Sequence, residues 1–136
     1  MKSDLHHQSA RLQYFMYEAE SWERLLVFCK EELVHFKNRL AETIADNEGE
    51  FVLLVAEKFQ EEFLAQDRIF FWLSDELKKQ TRLLQKDMYV DGELFHELVQ
   101  NQIKLRREIK KTEVLFTETK NCYALYLNER YAVEAD

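Results

Sequence analysis

Hydrophobic residues recur along the first third of the chain in alternating steps of three and four positions, which is the spacing of one face of a helix. A seam with this heptad pattern is typical of helices that pack as coiled coils. The stretch DNEG at 46–49 should end the helix, because Asn47 or Gly49 accepts the left-handed backbone conformation that closes many helices. We therefore predict a first helix over about 5–46. Its inward residues are Leu12, Phe15, Ala19, Trp22, Leu26, Cys29, Leu33, Phe36 and Leu40.

Two more seams follow and predict a second helix over about 50–86 and a third over about 92–131. Asp91 is positioned to cap the start of the third helix. The second seam contains Val52, Val55, Phe59, Phe63, Gln66, Phe70, Leu73, Leu77 and Leu84. The third contains Phe95, Leu98, Gln102, Leu105, Ile109, Thr112, Phe116, Thr119, Tyr123 and Tyr126.

The composition supports an all-α fold, because the chain has no proline and only two glycines, Gly49 and Gly92. Its 136 residues are enough for one domain with a sizeable core, so we expect a single domain over 1–136. Short connections make neighbouring helices antiparallel. The predicted fold is an up-down-up antiparallel bundle of three long helices with coiled-coil-like packing. A four-helix version would need a break inside one segment, and no glycine or proline supplies one.

The net charge of −7 and the pI near 5.2 work against nucleic-acid binding, which depends on neutralising phosphates with Lys and Arg. No apolar run approaches the length of a membrane span, and no signal-peptide core is present at the N-terminus. Cys29 and Cys122 form neither a CxxC motif nor a metal-ligand cluster. We therefore expect a soluble cytoplasmic protein with reduced thiols, no membrane contact and no nucleic-acid partner.

Two Glu-x-x-His motifs, Glu32 with His35 and Glu93 with His96, have the spacing by which helical bundles hold two metal ions. At about 100° per residue, however, all four side chains point well away from the inward seams. We therefore predict no metal and no cofactor, and we expect His6 and His7 to be surface residues. A bundle that binds a metal or a small ligand through these motifs stays the alternative.

Other chemistry is also sparse, because neither glycine lies in a phosphate-binding loop. Cys29 is on the inward seam and Cys122 has no histidine at its level, so we expect neither cysteine to act as a nucleophile. The densest basic run, residues 104–111, is expected opposite the acidic stretch 18–23 of the first helix. The sequence thus predicts no catalytic residues and no enzymatic activity.

Polar or small residues interrupt the seams, among them Cys29, Gln66 and Thr112. Aligning the helices at their turns places the three in one layer, within about three residues. A buried amide must be paired, and paired amides fix the register of helices. We expect Gln66 to hydrogen-bond across the bundle or to an internal water, with a small ligand pocket as the alternative.

The second helix carries more apolar residues than its inward seam needs. Leu53, Leu64 and Phe71 project to one side of the seam, whereas Leu54, Trp72 and Leu83 project to the other. We predict a homodimer through this helix, with an interface at Leu53, Leu64, Phe71 and Trp72. Burial under the flanking helices, or docking of a different protein, are the alternatives. The expected function is a non-enzymatic protein–protein interaction module or small scaffold.

Overall fold

The computed structural model describes residues 2–46, 49–85 and 92–135. Within these residues the chain forms three α-helices and no strand: α1 (Lys2–Ala45), α2 (Glu50–Leu84) and α3 (Gly92–Ala135). The helices make a three-helix bundle, which confirms the predicted fold class. No predicted helix end differs from the observed end by more than four residues. The prediction succeeds because the strongest helix breakers of this sequence lie at the junctions between the helices.

The connection between α1 and α2 includes Gly49, whose carbonyl oxygen accepts a hydrogen bond of 3.1 Å from the Leu53 backbone N–H, which is the bond that opens α2. That Gly49 closes α1 in the left-handed conformation stays a prediction. The N–H of Asp46 donates to the Glu42 carbonyl at 3.0 Å and completes the last turn of α1. Asn47 and Asp91, predicted to close α1 and to cap α3, lie outside the described residues.

The residues group into two compact units, and each unit contains a segment of all three helices. Unit 1 comprises Met1–Phe28 and Phe70–Lys110, whereas unit 2 comprises Cys29–Ile69 and Lys111–Asp136. In unit 1, Glu18 of α1 pairs with Arg106 of α3, and in unit 2 Glu32 pairs with Lys120. Both pairs join residues 88 positions apart, so α1 and α3 run in the same direction.

The core of unit 1 is aliphatic around two aromatic residues of α1 and one of α2. Its buried members follow the predicted seams closely, and burying such side chains supplies most of the driving force for folding. The side chain of Arg11 covers the outer edge of this core, with its guanidinium carbon 5.5 Å from the centre of the Phe15 ring. The buried apolar residues of unit 1 are Phe15, Ala19, Trp22, Leu26, Phe70, Leu73, Leu77, Leu84, Leu98, Leu105 and Ile109.

The core of unit 2 is built around aromatic rings from all three helices. We call Phe36, Phe63 and Tyr123 the aromatic layer, because their ring centres lie 5.2–6.2 Å from one another. Phe59 also contacts the layer, with its ring centre 5.2 Å from that of Tyr123. Ring pairs at such distances add stability beyond the apolar area that they bury. Phe63 and Tyr123 are almost completely buried, so this layer fixes the level of the three helices in unit 2.

Candidate interaction surface

The four residues predicted to form an interface divide between the two units. In unit 2, Leu53 is half-buried and Leu64 exposes 44% of its surface. In unit 1, Phe71 exposes 76% and Trp72 exposes 43%. Phe71 is the most exposed of the large hydrophobic residues that the structure describes. The helices of its own bundle therefore do not cover this ring, although its role in an interface stays a prediction.

Phe71 and Leu64 belong to a longer row of exposed positions on α2, which we call the outer stripe. Its members follow one another in alternating steps of three and four residues, so they lie along one side of the helix. The inward seam of α2 has the same spacing on the opposite side. The outer stripe consists of Leu54, Glu57, Glu61, Leu64, Arg68, Phe71, Asp75, Lys78 and Arg82, all of them exposed.

The two ends of the outer stripe carry charges of opposite sign, whereas Arg68 and Asp75 near its middle do not follow that order. Its N-terminal part carries two acids, Glu57 and Glu61, and its C-terminal part carries two bases, Lys78 and Arg82. Within the described part of the chain, none of these four side chains forms an ion pair with its own molecule. With three acidic, three basic and three apolar members, the stripe is neutral on a chain whose net charge is −7.

Trp72 lies beside the outer stripe and lines a groove between α2 and α3 of unit 1. The groove has a volume of about 250 Å³ and is partly enclosed. Leu83 and Leu105 provide apolar walls together with Trp72, and Gln80 also lines the groove. Lys79, at the edge, is neutralised within its own helix by Asp75 at 3.2 Å and by Glu76 at 3.4 Å.

Gln80 belongs to a chain of buried amides that joins all three helices of unit 1. Its Nε2 donates to the carbonyl oxygen of Leu98 at 2.9 Å and to Oε1 of Gln102 at 3.1 Å. Gln102 is completely buried, and its Nε2 donates to the carbonyl oxygen of Phe15 at 3.1 Å and to Oε1 of Glu18 at 2.9 Å. Gln80 donates to Gln102, and Gln102 donates to Glu18, so the donors all point toward Glu18. At the opposite end of the chain, Oε1 of Gln80 is buried and has no hydrogen-bond partner among the described residues.

Arg106 completes this amide chain by holding the Glu18 carboxylate at both oxygens, with bonds of 2.8 and 2.7 Å. Burial by itself would raise the pKa of Glu18, but hydrogen bonds from Arg106 and Gln102, together with the charge of Arg106, bring it below its ordinary value. The hydrogen bond to Glu18 likewise raises the pKa of Arg106. The basic run 104–111 therefore supplies one partner to the acidic stretch 18–23, as the sequence predicts.

Cys29, Gln66 and Thr112 are all buried, and all three belong to unit 2. Measured along the helices from the aromatic layer, Gln66 is three residues away, Cys29 seven and Thr112 eleven. At about 1.5 Å per residue, the three spread over about 12 Å. Counted instead from Phe116, whose ring centre lies 6.4 Å from that of Phe36, Thr112 is only four residues away, so the single layer stays a prediction. Oε1 of Gln66 is buried without a hydrogen-bond partner in the described residues, so a bond from this oxygen to an internal water stays a prediction.

Cys29 and Cys122 are both free thiols, the first buried and the second exposed. Burial raises the pKa of the Cys29 thiol, and the negative charges of Glu32 and Glu113 raise it further. A thiol that resists ionisation is a poor nucleophile. The local chemistry of Cys29 thus agrees with a packing role.

The Glu-x-x-His motifs fall in different units and do not hold their side chains ready for a metal. Both carboxylate oxygens of Glu32 bond to Nζ of Lys120, at 3.2 and 3.0 Å. His35 is exposed, as are Glu93 and His96. Throughout the described residues no group of three or more His, Cys, Asp or Glu side chains is placed to bind a metal ion.

Comparisons with known proteins give no match: no family model, no curated protein and no solved structure is significantly similar to this chain. Across the residues that the structure describes, none of the helices has an apolar stretch of the length needed to cross a membrane. Evidence for a function therefore comes from the exposed residues of α2 themselves.

The buried Gln80 and the charged members of the outer stripe are absent from the inward seams predicted from the sequence. Gln80 falls three residues after Leu77 and four before Leu84, so a strict heptad count through the second seam would have included it. The charged members of the outer stripe share the three-and-four spacing of Leu64 and Phe71, but the apolar residues on that side of α2 do not reveal them. Counting all residue types at the same spacing would have found both features.

Proposed function

We propose that the protein is a non-enzymatic interaction module and that its partner is a second copy of itself, bound through the outer stripe of α2. The exposure of Phe71 carries this proposal. A ring with three quarters of its surface in water gains free energy when a partner covers it. Leu54 and Leu64, exposed at 65% and 44%, add apolar surface to the same helix.

A protein partner fits the charge of the chain better than a nucleic acid does. The net charge of −7 opposes approach to phosphates, whereas the outer stripe is neutral and offers both signs of charge. The exposed thiol of Cys122 supports a cytoplasmic setting, where thiols stay reduced. We propose no catalytic role, since the partly buried carboxylate of Glu18 is neutralised by Arg106 and hydrogen-bonded by Gln102.

The mass of the protein in solution tests this proposal. Light scattering at micromolar concentration should report twice the chain mass of 16.5 kDa. Replacing Phe71→Glu together with Trp72→Glu should return a folded monomer, because two charges would then have to be buried at the centre of the interface. Tyr17→Glu is the matched control, since Tyr17 is an aromatic residue of similar exposure on α1. This control should still form a dimer.

Two outcomes would contradict the proposal. A wild-type protein that remains a monomer at about 100 μM would remove the homodimer. A dimer that survives the double substitution with an unchanged dissociation constant would place the interface on a different face. Circular dichroism of each variant verifies that loss of the dimer is not loss of the fold.

A further inference from the structure

We infer that the two copies pair their α2 helices in antiparallel orientation, with the twofold axis crossing each helix between Ile69 and Phe70. This inference depends on the proposed self-association through the outer stripe and adds its geometry. It follows from the order of charges on the stripe, which is acidic at one end and basic at the other.

An antiparallel pair centred there matches opposite charges at both ends of the interface. Glu57 of one copy faces Arg82 of the other, and Glu61 faces Lys78. By symmetry each contact occurs twice, so four ion pairs form. In the described residues these side chains have no ion pair inside their own molecule, so the dimer would not have to break one.

The centre of the same arrangement brings Arg68 of one copy next to Phe71 of the other, and Leu64 opposite Asp75. A guanidinium group over an exposed aromatic ring is attracted by the electrons of the ring face, and the contact also removes the ring from water. Phe71 is close to the axis, so both of its copies lie in the middle of the interface, where anchor residues contribute most.

A parallel pair lacks these advantages. With α2 aligned in the same direction in both copies, each residue of the stripe faces its own counterpart, as at the core of a parallel coiled coil. Glu57 then meets Glu57, Glu61 meets Glu61, and the bases at the other end repel in the same way. Like charges directly opposite one another are unfavourable, so the charge order selects the antiparallel dimer.

Charge reversal at one end of the stripe at a time tests the orientation. The acid-end variant is Glu57→Lys with Glu61→Lys, and the base-end variant is Lys78→Glu with Arg82→Glu. Each variant alone should dimerise at least about tenfold more weakly than the wild type, because four attractive pairs become repulsive. An equimolar mixture of the two variants should restore a dimer of wild-type affinity, and so should the chain that carries all four substitutions.

The results separate this inference from the proposed function. If the wild type dimerises and Phe71→Glu abolishes the dimer, but either half-reversal dimerises as tightly as the wild type, the antiparallel orientation is overturned and the interface on α2 remains. If the wild type is a monomer at about 100 μM, both are overturned. All four positions are exposed, so the variants should keep the circular dichroism spectrum of the wild type.

A distance measurement gives an independent result. A spin label at Gln85→Cys, in a chain with Cys122→Ser, should lie about 45 Å from its copy in the antiparallel dimer, since the two positions are separated by about 31 helical residues. A parallel dimer would place the labels within about 20 Å of each other, and that distance would overturn the orientation. Cys29 is buried and should not take up the label.

Discussion

Two buried glutamines of this bundle should respond in opposite ways to the same substitution. Gln102 donates two hydrogen bonds and accepts one, whereas Oε1 of Gln66 has no partner among the described residues. Leucine has nearly the shape of glutamine but cannot form hydrogen bonds. We therefore expect Gln102→Leu to destabilise the protein and Gln66→Leu to stabilise it.

The sizes follow from the observed contacts. Gln102→Leu removes one hydrogen bond to a carboxylate, worth about 1.5–3 kcal/mol, and two to neutral groups, worth about 0.5–1.5 kcal/mol each. The apolar leucine recovers part of this loss by its own burial, which leaves a net cost near 2 kcal/mol. Gln66→Leu removes a buried acceptor without a protein partner and should raise the free energy of unfolding by about 1–3 kcal/mol. For a chain of this length, about 3 °C in Tm corresponds to each kcal/mol.

Urea unfolding followed by circular dichroism measures both changes, at one fixed protein concentration because the proposed dimer would add to the stability. The slope of the transition should be the same for wild type and variants. A stabilised Gln66→Leu protein with one ordered fold would also remove the predicted register role from Gln66. The reasoning is refuted if Gln66→Leu is the more destabilising of the two, or if Gln102→Leu changes the free energy of unfolding by less than about 0.5 kcal/mol.

Two further predictions concern the core and its buried charge. Leu33→Ala should lower the free energy of unfolding, measured by urea titration, by about 2–5 kcal/mol, because Leu33 is completely buried. The same change at the exposed neighbour Val34 should lower it by less than about 0.5 kcal/mol. Equal losses at the two positions would contradict the assigned seam. Because the pKa of Glu18 is lowered from 4.5 in the folded state, its contribution to stability should be present above that pH and lost as the pH falls below it. The difference in unfolding free energy between wild type and Glu18→Gln should therefore shrink on acidification, and a difference that stays constant from pH 6 to pH 3 would argue against the ionic contact with Arg106.

The number of helices and their inward faces could be predicted from the sequence, because both depend on local spacing. Every apolar residue of the first seam from Phe15 to Leu33 is buried, and helix breakers occur only near the junctions. The levels of the helices relative to one another could not be predicted in the same way. They depend on the path of the connections and on how the large rings of the aromatic layer fit together, and neither can be derived from counting residues.

The same limit applies to the polar layer of Cys29, Gln66 and Thr112, which stays a prediction. A difference of four residues in level moves a side chain by about one helical turn, so counting alone cannot place Gln66 beside Thr112. The exposure of Phe71, by contrast, follows from its angle on α2 and was predictable. The sequence places Gln102 in the third seam but does not show that its amide, together with that of Gln80, joins the three helices of unit 1.

The hydrogen bonds that run from Gln80 through Gln102 to Glu18 also break a symmetry of the sequence. A heptad seam looks the same after a slide of seven residues, so apolar contacts alone would let α3 fit its neighbours in several equivalent positions. A slide of that size would replace Gln102 with Phe95 or Ile109 and leave a carboxylate and an amide against hydrocarbon. Gln102 therefore makes the positions of α3 that differ by seven residues inequivalent. Only one of them satisfies the hydrogen bonds of its buried polar neighbours.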